Sequence, residues 1–344
     1  MATVYKTLLN DDIVTTRTLL HEAIPITGSI LSGTYDDENI QTFSHGRFQS
    51  VYDYVWTSSS ANHIFDLSVG YSPKSALNGD PSALQESKKN QMYNQLSQIL
   101  VGHDVTGSIL EFDQDGDILA GGTKLKECIF LTFSRLLVKD EIKKSSVELQ
   151  LVTGSSADPY ADSDILTISD YGAEQEYRTN SPAGEYGILY TGSAATEGTG
   201  VGLVFYQAGV MVLTASIVDN PDFHLSGATT QTVSDTLTGS SVDDFSAEFR
   251  RRVKDIQFNN TVELNSTIYF CRLNHNEFNY SSNPTYLSSS QIRVKKQPTD
   301  SPVSYATTVG LYSSDNELLA TAKLSEPLKK TPENEIILRV RLDY

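Results

Sequence analysis

The segment Asp113-Gln114-Asp115-Gly116-Asp117 carries the most suggestive local chemistry in this sequence. Alternating carboxylates beside a glycine are the raw material of an oxygen-only site for a hard cation such as Ca²⁺. The EF-hand arrangement is not met. Glycine falls at the fourth position of the loop instead of the sixth, and Lys124 stands where the bidentate glutamate belongs. The segment therefore reads as an acidic turn between strands. No metal ligand is assigned, and cation binding by Asp113, Asp115 and Asp117 stays open.

Other reactive residues form no recognisable constellation. The six histidines are His21, His45, His63, His103, His224 and His275, and none stands in a His-Glu-x-x-His arrangement. Cys271 and His275 share a four-residue offset, but no second pair completes a zinc site. Serines are plentiful, yet no Gly-x-Ser-x-Gly elbow is available to expose a nucleophile. The Gly-rich run from Gly192 to Gly202 lacks the Gly-Lys-Ser/Thr ending of a phosphate loop and reads as a turn between strands. No catalytic or cofactor-binding residue is assigned, and no enzyme activity is expected. Cys128 and Cys271 lie in strand-like apolar runs and read as buried free thiols, a disulfide being the other reading. The Asn-x-Ser/Thr triplets at Asn259, Asn265 and Asn279 read as chance matches. Arg250-Arg251-Arg252 with Lys254 is the densest basic cluster. A solvated helix face, a contact with an acidic neighbouring subunit and a phosphate contact are its three readings, in that order.

These residues need elements to position them. Asp11 to Glu22 reads as a capped helix ended by Pro25. Asp80-Pro81 opens a second helix, striped by Leu84, Met92, Leu96, Ile99 and Leu100 and closed by Gly102. Phe43 to Trp56 and Ile64 to Tyr71 read as extended or irregular. Glu127 to Phe133 is a buried-strand run, Lys139 to Lys144 a short charged turn of helix, and Ser146 to Val152 a half-buried strand. Apolar runs at Tyr186–Tyr190, Val201–Tyr206 and Val210–Val218, divided by glycines, predict paired strands buried on both faces. Asp243 to Lys254 predicts a short amphipathic helix on Phe245, Phe249 and Val253. Strands follow at 261–273, 291–296, 304–312, 317–324 and 335–344, with Ser313 to Asn316 as a hairpin loop.

The expected class is α+β to mainly β, with helices mostly in the N-terminal third and antiparallel, sandwich-like sheets in the C-terminal part. The expected organisation is a mixed region over 1–153, a loop-rich excursion or boundary over 154–184 that holds one short candidate strand at Ile165–Ile168, and a β-rich region over 185–344 with one short helix near 243–254. The 344 residues carry 26 Lys+Arg against 43 Asp+Glu, a net charge of −17. Such a chain has no general attraction for phosphate backbones or anionic lipid, so no direct nucleic-acid contact is expected. No apolar run is long enough to span a bilayer, and the start lacks the long apolar core of a secretory signal, so no membrane insertion is expected. Ser and Thr make up roughly a fifth of the chain, well above ordinary globular usage.

Three blocks carry a family resemblance. They are the run Val201 to Leu213, the run Asn276 to Tyr286, and the C-terminal sequences Tyr305–Tyr312, Asn316–Ser325, Pro327–Lys330 and Arg339–Tyr344. Met1 to Ser32 and Phe48 to Tyr71 add weaker matches. Together they resemble virion structural proteins of contractile-tailed phages, notably those of marine cyanobacteria. The resemblance implies a tail or baseplate (wedge) component without catalysis or cofactor. Its implied partners are other virion proteins and copies of itself, and its implied location is the virion, assembled in the host cytoplasm. No functional residue is carried over. Neck, collar, capsid-decoration and carbohydrate- or receptor-binding roles are the alternatives, the last resting on Tyr160, Tyr171 and Tyr186 as ring-stacking residues. The C-terminal strand sets Ile336, Leu338, Val340 and Leu342 on one face and Arg339, Arg341 and Asp343 on the other.

Overall fold

The computed structural model describes residues 5–27, 37–79, 83–118, 121–153, 165–191, 199–218, 237–281, 287–289, 291–292, 297 and 299–344. The chain is mostly antiparallel β-sheet, 47% strand against 17% helix, as the apolar and alternating runs predict. In order, its first half runs β1 (Ile13–Thr27), β2 (Ile40–Thr42), β3 (Gln49–Tyr52), β4 (His63–Tyr71), α1 (Leu84–Leu100), β5 (Phe112–Asp113), β6 (Lys124–Leu125), β7 (Glu127–Phe133), α2 (Arg135–Val138), β8 (Glu141–Ile142), β9 (Glu148–Val152) and β10 (Ile165–Ser169). Then come α3 (Ala173–Glu176), β11 (Arg178–Ser181), β12 (Gly184–Thr191), β13 (Gly202–Phe205), β14 (Val210–Thr214), α4 (Val242–Arg252), β15 (Val253–Leu273), β16 (Leu287–Ser288), β17 (Gln291–Ile292), β18 (Ser304–Tyr312), β19 (Leu318–Lys330) and β20 (Ile336–Asp343).

The chain divides into two compact units, Leu20–Val262 and the pair Met1–Leu19 with Glu263–Tyr344. In the larger unit the strands run β15-β9-β10-β12-β13-β14-β7-β4-β3-β2 across one sheet. The central registers set Leu203 opposite Val212, Val212 opposite Phe130, and Phe130 opposite Ser68. Successive side chains on these strands enter opposite faces. Phe130, Val212 and Leu203 join Tyr93, Phe112, Tyr186 and Phe205 in one core. Their neighbours Leu131, Met211 and Val204 join Leu67, Val69, Phe245 and Phe249 in the other. Burial on both faces explains why these strands read as continuous apolar runs. Each fully buried Leu, Met or Phe contributes about 1.5–3 kcal/mol.

Helix α1 forms where expected, with Leu100 of the expected stripe buried and Leu96 packed against the core, but its buried face is otherwise polar. Leu84 and Ile99 are exposed, while Lys89, Tyr93, Ser97 and Leu100 are buried. The polar residues on that face reach backbone carbonyls. Lys89 Nζ donates to the carbonyls of Leu237 and Ser240, Tyr93 Oη to Leu125 O at 2.8 Å, and Ser97 Oγ to Leu110 O. The expected stripe holds at Leu96 and Leu100 and fails at Leu84 and Ile99 because it counted only apolar residues, whereas this face satisfies its polar atoms as it is buried. The Asp80-Pro81 start lies outside the described residues. Glycine at position 70 lets the helix approach β4, since a Cβ there would meet Lys89 O at 2.5 Å and Tyr93 N at 2.9 Å.

Two further helix expectations are corrected. Residues 13–27 form β1, not a helix, because Ile13, Val14, Thr15, Thr16 and Thr18 are β-branched and β15 offers a pairing edge. Lys139 to Lys144 is not helical. The helical turn is Arg135–Val138, and Glu141–Ile142 pairs with Asn260 and Thr261 of β15. Helix α4 matches expectation. Ser241 caps it by accepting from Asp244 N, and Phe245 and Phe249 are buried. Within the predicted loop-rich stretch, residues 165–184 carry β10, α3 and β11, and 154–164 lie outside the described residues.

Candidate functional site

The smaller unit is built from long strands with little bulk. The C-terminal half of β15 pairs antiparallel with β20, from Ser266 opposite Asp343 to Leu273 opposite Ile336. Strands β18 and β19 form a separate hairpin, from Ser304 opposite Lys330 to Tyr312 opposite Leu318. Its loop is the predicted Ser313 to Asn316 turn, in which Asn316 N donates to Ser313 O and Asn316 holds a φ of 63°. Along β20 the predicted alternation is exact to the residue: Ile336, Leu338, Val340 and Leu342 are half-buried, while Ile337, Arg339, Arg341 and Asp343 are exposed.

Half-buried is the most that any apolar side chain reaches here. Among the described residues of this unit, no hydrophobic side chain is buried. Its buried residues are Asp12, Ser266, Thr267, Ser304 and Lys330, all polar. The two sheets leave a hollow of about 930 Å³. Tyr269, Cys271, Leu338 and Val340 line it from one sheet, and Leu311, Ala320 and Ala322 from the other. That volume is at the upper end of the about 300–1,000 Å³ typical of ligand clefts, in a place where close-packed side chains would form a core. Tyr5 and Tyr312 also line it, both exposed, with rings meeting edge to face at 4.8 Å. On the outside, Leu318, Leu319, Ile337 and Tyr344 are each more than half exposed.

Ion pairs tie the unit together instead. Lys6 Nζ meets Glu277 Oε2 at 2.6 Å, Arg17 meets Glu263 at 2.5 Å, and Arg272 Nε meets Asp12 Oδ1 at 2.5 Å. The Arg272 guanidinium and Leu9 N–H hold the Asp12 carboxyl below its ordinary range, and Lys6 does the same for Glu277. Pairs of this kind contribute little each and do not replace a core. Buried Lys330 donates to Asn279 Oδ1 at 2.7 Å and to Thr331 O at 2.8 Å, pinning the end of β19.

The residues singled out for chemistry lie elsewhere. Asp113, Asp115 and Asp117 come together, each offering an oxygen within 4.8 Å of the others. The basic cluster is not a solvated face. Arg250 is buried and donates to Asp37 Oδ1 at 2.6 Å, Arg252 is buried, and only Arg251 is exposed, 3.6 Å from Asp37. Tyr186 is fully buried, its hydroxyl 2.6 Å from Gly116 O and 2.7 Å from Asn180 Oδ1, and so cannot stack on a ligand ring. Tyr171 is exposed, and Tyr160 lies outside the described residues. Cys128 is buried and Cys271 partly so, both free. Burial pushes both thiols up, Cys128 strongly.

One serine, one histidine and one aspartate do meet. Ser50 Oγ donates to Asp66 Oδ1 at 2.5 Å, and His63 Nε2 lies 2.8 Å from the same oxygen. A nucleophile needs its base between it and the orienting acid. Here the carboxylate is central and the serine proton points to it, so the imidazole does not activate the hydroxyl. Of the remaining histidines, His21 bonds Thr261 Oγ1, His45 stacks on Phe43 and His275 faces Glu335 at 3.4 Å. His224 and most of the Gly192 to Gly202 run lie outside the described residues.

Sequence reasoning found the alternation of β20 but not that its inner face would be left open. The available signal was the composition of the facing hairpin, whose inward positions include Ala320 and Ala322, too small to fill the space between two sheets. Compared with known proteins, the chain matches no family model, no curated protein and no solved structure.

Proposed function

We propose that this chain is a non-enzymatic structural subunit of a contractile-tailed phage particle, built into the tail or baseplate wedge and acting through contacts with other virion proteins and with copies of itself. One observation carries the reading. The smaller unit has no buried hydrophobic side chain among its described residues, yet it presents half-buried and exposed apolar residues on long paired strands. Sheets of this kind gain stability when another surface covers them. Two of the three sequence blocks that resemble virion proteins, Asn276–Tyr286 and Tyr305–Tyr344, belong to that unit.

Immunogold electron microscopy of purified particles tests this directly. Label at the tail end is the expected result. Label at the neck or capsid would move the chain within the particle and overturn the baseplate assignment. Label in infected cells but never on particles would overturn the structural role altogether.

A second reading rests on the aromatic lining of the hollow. Tyr5, Phe278, Tyr280, Tyr305 and Tyr312 all border it and are all partly exposed, an arrangement suited to stacking on sugar rings. A glycan array probed with the purified chain separates the two: saturable binding that Tyr305→Ala and Tyr280→Ala weaken favours a receptor-binding module.

A further inference from the structure

The carboxylates of Asp113, Asp115 and Asp117 belong to the larger unit and play no part in the proposed contacts. Strand β5 places Asp113 opposite Lys124 of β6, and the lysine ammonium pairs with Asp113 Oδ2. The side chain of Asp113 is 0% exposed. Its other oxygen, Oδ1, is buried and accepts no hydrogen bond from any described residue. A buried carboxylate oxygen normally has a donor, and leaving one without costs about 1–3 kcal/mol or more. The groups closest in kind to it, Asp115 and Asp117, are carboxylates too and compound the cost instead of relieving it. Burial, and after it these two neighbours, push the Asp113 carboxyl up, against the pull of Lys124.

Oδ1 also faces a space. A Cβ built on Gly122 would stand 3.7 Å from Asp113 Oδ1 and 3.9 Å from Asp115 Oδ2, the nearest atoms among the described residues outside its own chain neighbours. Both oxygens therefore border the clearing that the absent side chain leaves. Behind them the loop is braced: Tyr186 Oη donates to Gly116 O at 2.6 Å, and Asn180 Nδ2 donates to the carbonyls of Gly116 and Asp117.

We propose that Asp113, Asp115 and Asp117 bind one divalent cation of Ca²⁺ size. The donors are all oxygen, which selects a hard ion. Oxygens on opposite sides of Ca²⁺, at about 2.3–2.6 Å, are about 5 Å apart, whereas on Mg²⁺ they are about 4 Å apart. The observed spread of up to 4.8 Å suits the larger ion. Three carboxylates against one lysine leave two negative charges, which one divalent cation neutralises. The EF-hand template does not detect this set because the acids hold a two-strand turn instead of a helix–loop–helix.

The test is Tb³⁺ luminescence on the full chain, excited through tyrosine, with Tyr186 as the ring hydrogen-bonded to the loop. The expected result is saturable emission from one site, displaced by Ca²⁺ at concentrations at least tenfold lower than by Mg²⁺. Asp115→Asn and Asp117→Asn, at half-buried and exposed positions, should each weaken Tb³⁺ binding at least tenfold while leaving the far-ultraviolet circular dichroism unchanged. In parallel, Ca²⁺ should raise the Tm of the wild-type chain but not of Asp117→Asn. Absence of saturable emission, variants that bind Tb³⁺ as tightly as the wild type, or displacement by Mg²⁺ as readily as by Ca²⁺ would overturn the assignment. None of these outcomes bears on whether the chain belongs to a virion.

Discussion

Asp170 illustrates how a single buried side chain organises this fold. Its Oδ2 accepts from Ser145 N at 2.7 Å and Tyr206 Oη at 2.9 Å, and its Oδ1 accepts from Val147 N at 2.9 Å. It thereby holds Ser145, a non-glycine residue at a φ of 57°, in the turn that leads into β9. Burial outweighs these donors and raises the carboxyl from its ordinary 3.8 to about 6. A shift of that size makes ionised Asp170 roughly 3 kcal/mol less favourable in the fold than in the unfolded chain. The folded chain binds the extra proton between pH 4 and 6, so this group's contribution is fullest below about pH 4 and declines as pH rises through 6. Replacing Asp170 with Ala strands the buried Val147 N–H and the buried Tyr206 hydroxyl and should destabilise the chain by about 3 kcal/mol or more at pH 7.5. Urea unfolding at two pH values checks both points. The deficit of the variant should widen towards pH 4; a deficit that stays constant or narrows would contradict the assignment.

At the scale of elements, α1 and β4 depend on one missing side chain. The backbone of α1 lies so close to Gly70 that any Cβ there meets carbonyl and amide atoms, which cannot swing aside as a side chain would. Gly70→Ala should therefore lift the helix off the sheet, disturbing the packing of Tyr93 against Phe112 and Phe130. Overpacking of this kind costs about 1–3 kcal/mol, and backbone contact puts this case at the upper end. Thermal unfolding of the variant is the measurement, and a Tm within a degree of the wild type would refute the close approach. The polar face of α1 follows from the same geometry. Lys89 is held by two carbonyls, and burial lowers its ammonium from 10.5 to about 8, offset in part by Glu86 and Asp244.

At the scale of the whole molecule, the two units differ in what holds them. The larger has two cores built on opposite faces of one sheet. The smaller has ladders, exposed ion pairs and a hollow. Local opening free energy follows buried apolar contact. In the free chain, amides of β18, β19 and β20 should exchange with solvent at least tenfold faster than those of β7, β13 and β14. On assembly they should become protected. Equal protection in both units of the free chain would remove the main support for the proposed interface. The charge of −17 belongs to this scale as well. With Arg250 and Arg252 buried and Arg250 and Arg251 on Asp37, the acidic excess is not balanced by a free basic face at that cluster. Basic partner surfaces are the expected complement, and assembly should weaken as salt is raised.

The sequence by itself determined the mainly antiparallel class, the central strands β7, β9, β12, β13 and β14 of the larger sheet, α4 with its two phenylalanines, the hairpin turn at Ser313 to Asn316 and the alternation of β20. Each of these is written in local periodicity, and local periodicity survives into the fold wherever a run is long and its faces are chemically distinct. Only the tertiary structure decided the rest. It turned residues 13–27 into a strand, because an available edge outweighed apolar spacing. It chose the polar face of α1, because distant carbonyls were there to satisfy it. It buried Arg250 against Asp37, 213 residues away in sequence. It left the inner faces of the smaller unit uncovered. These outcomes depend on which groups meet across long separations in sequence, and no pattern within one segment carries that information.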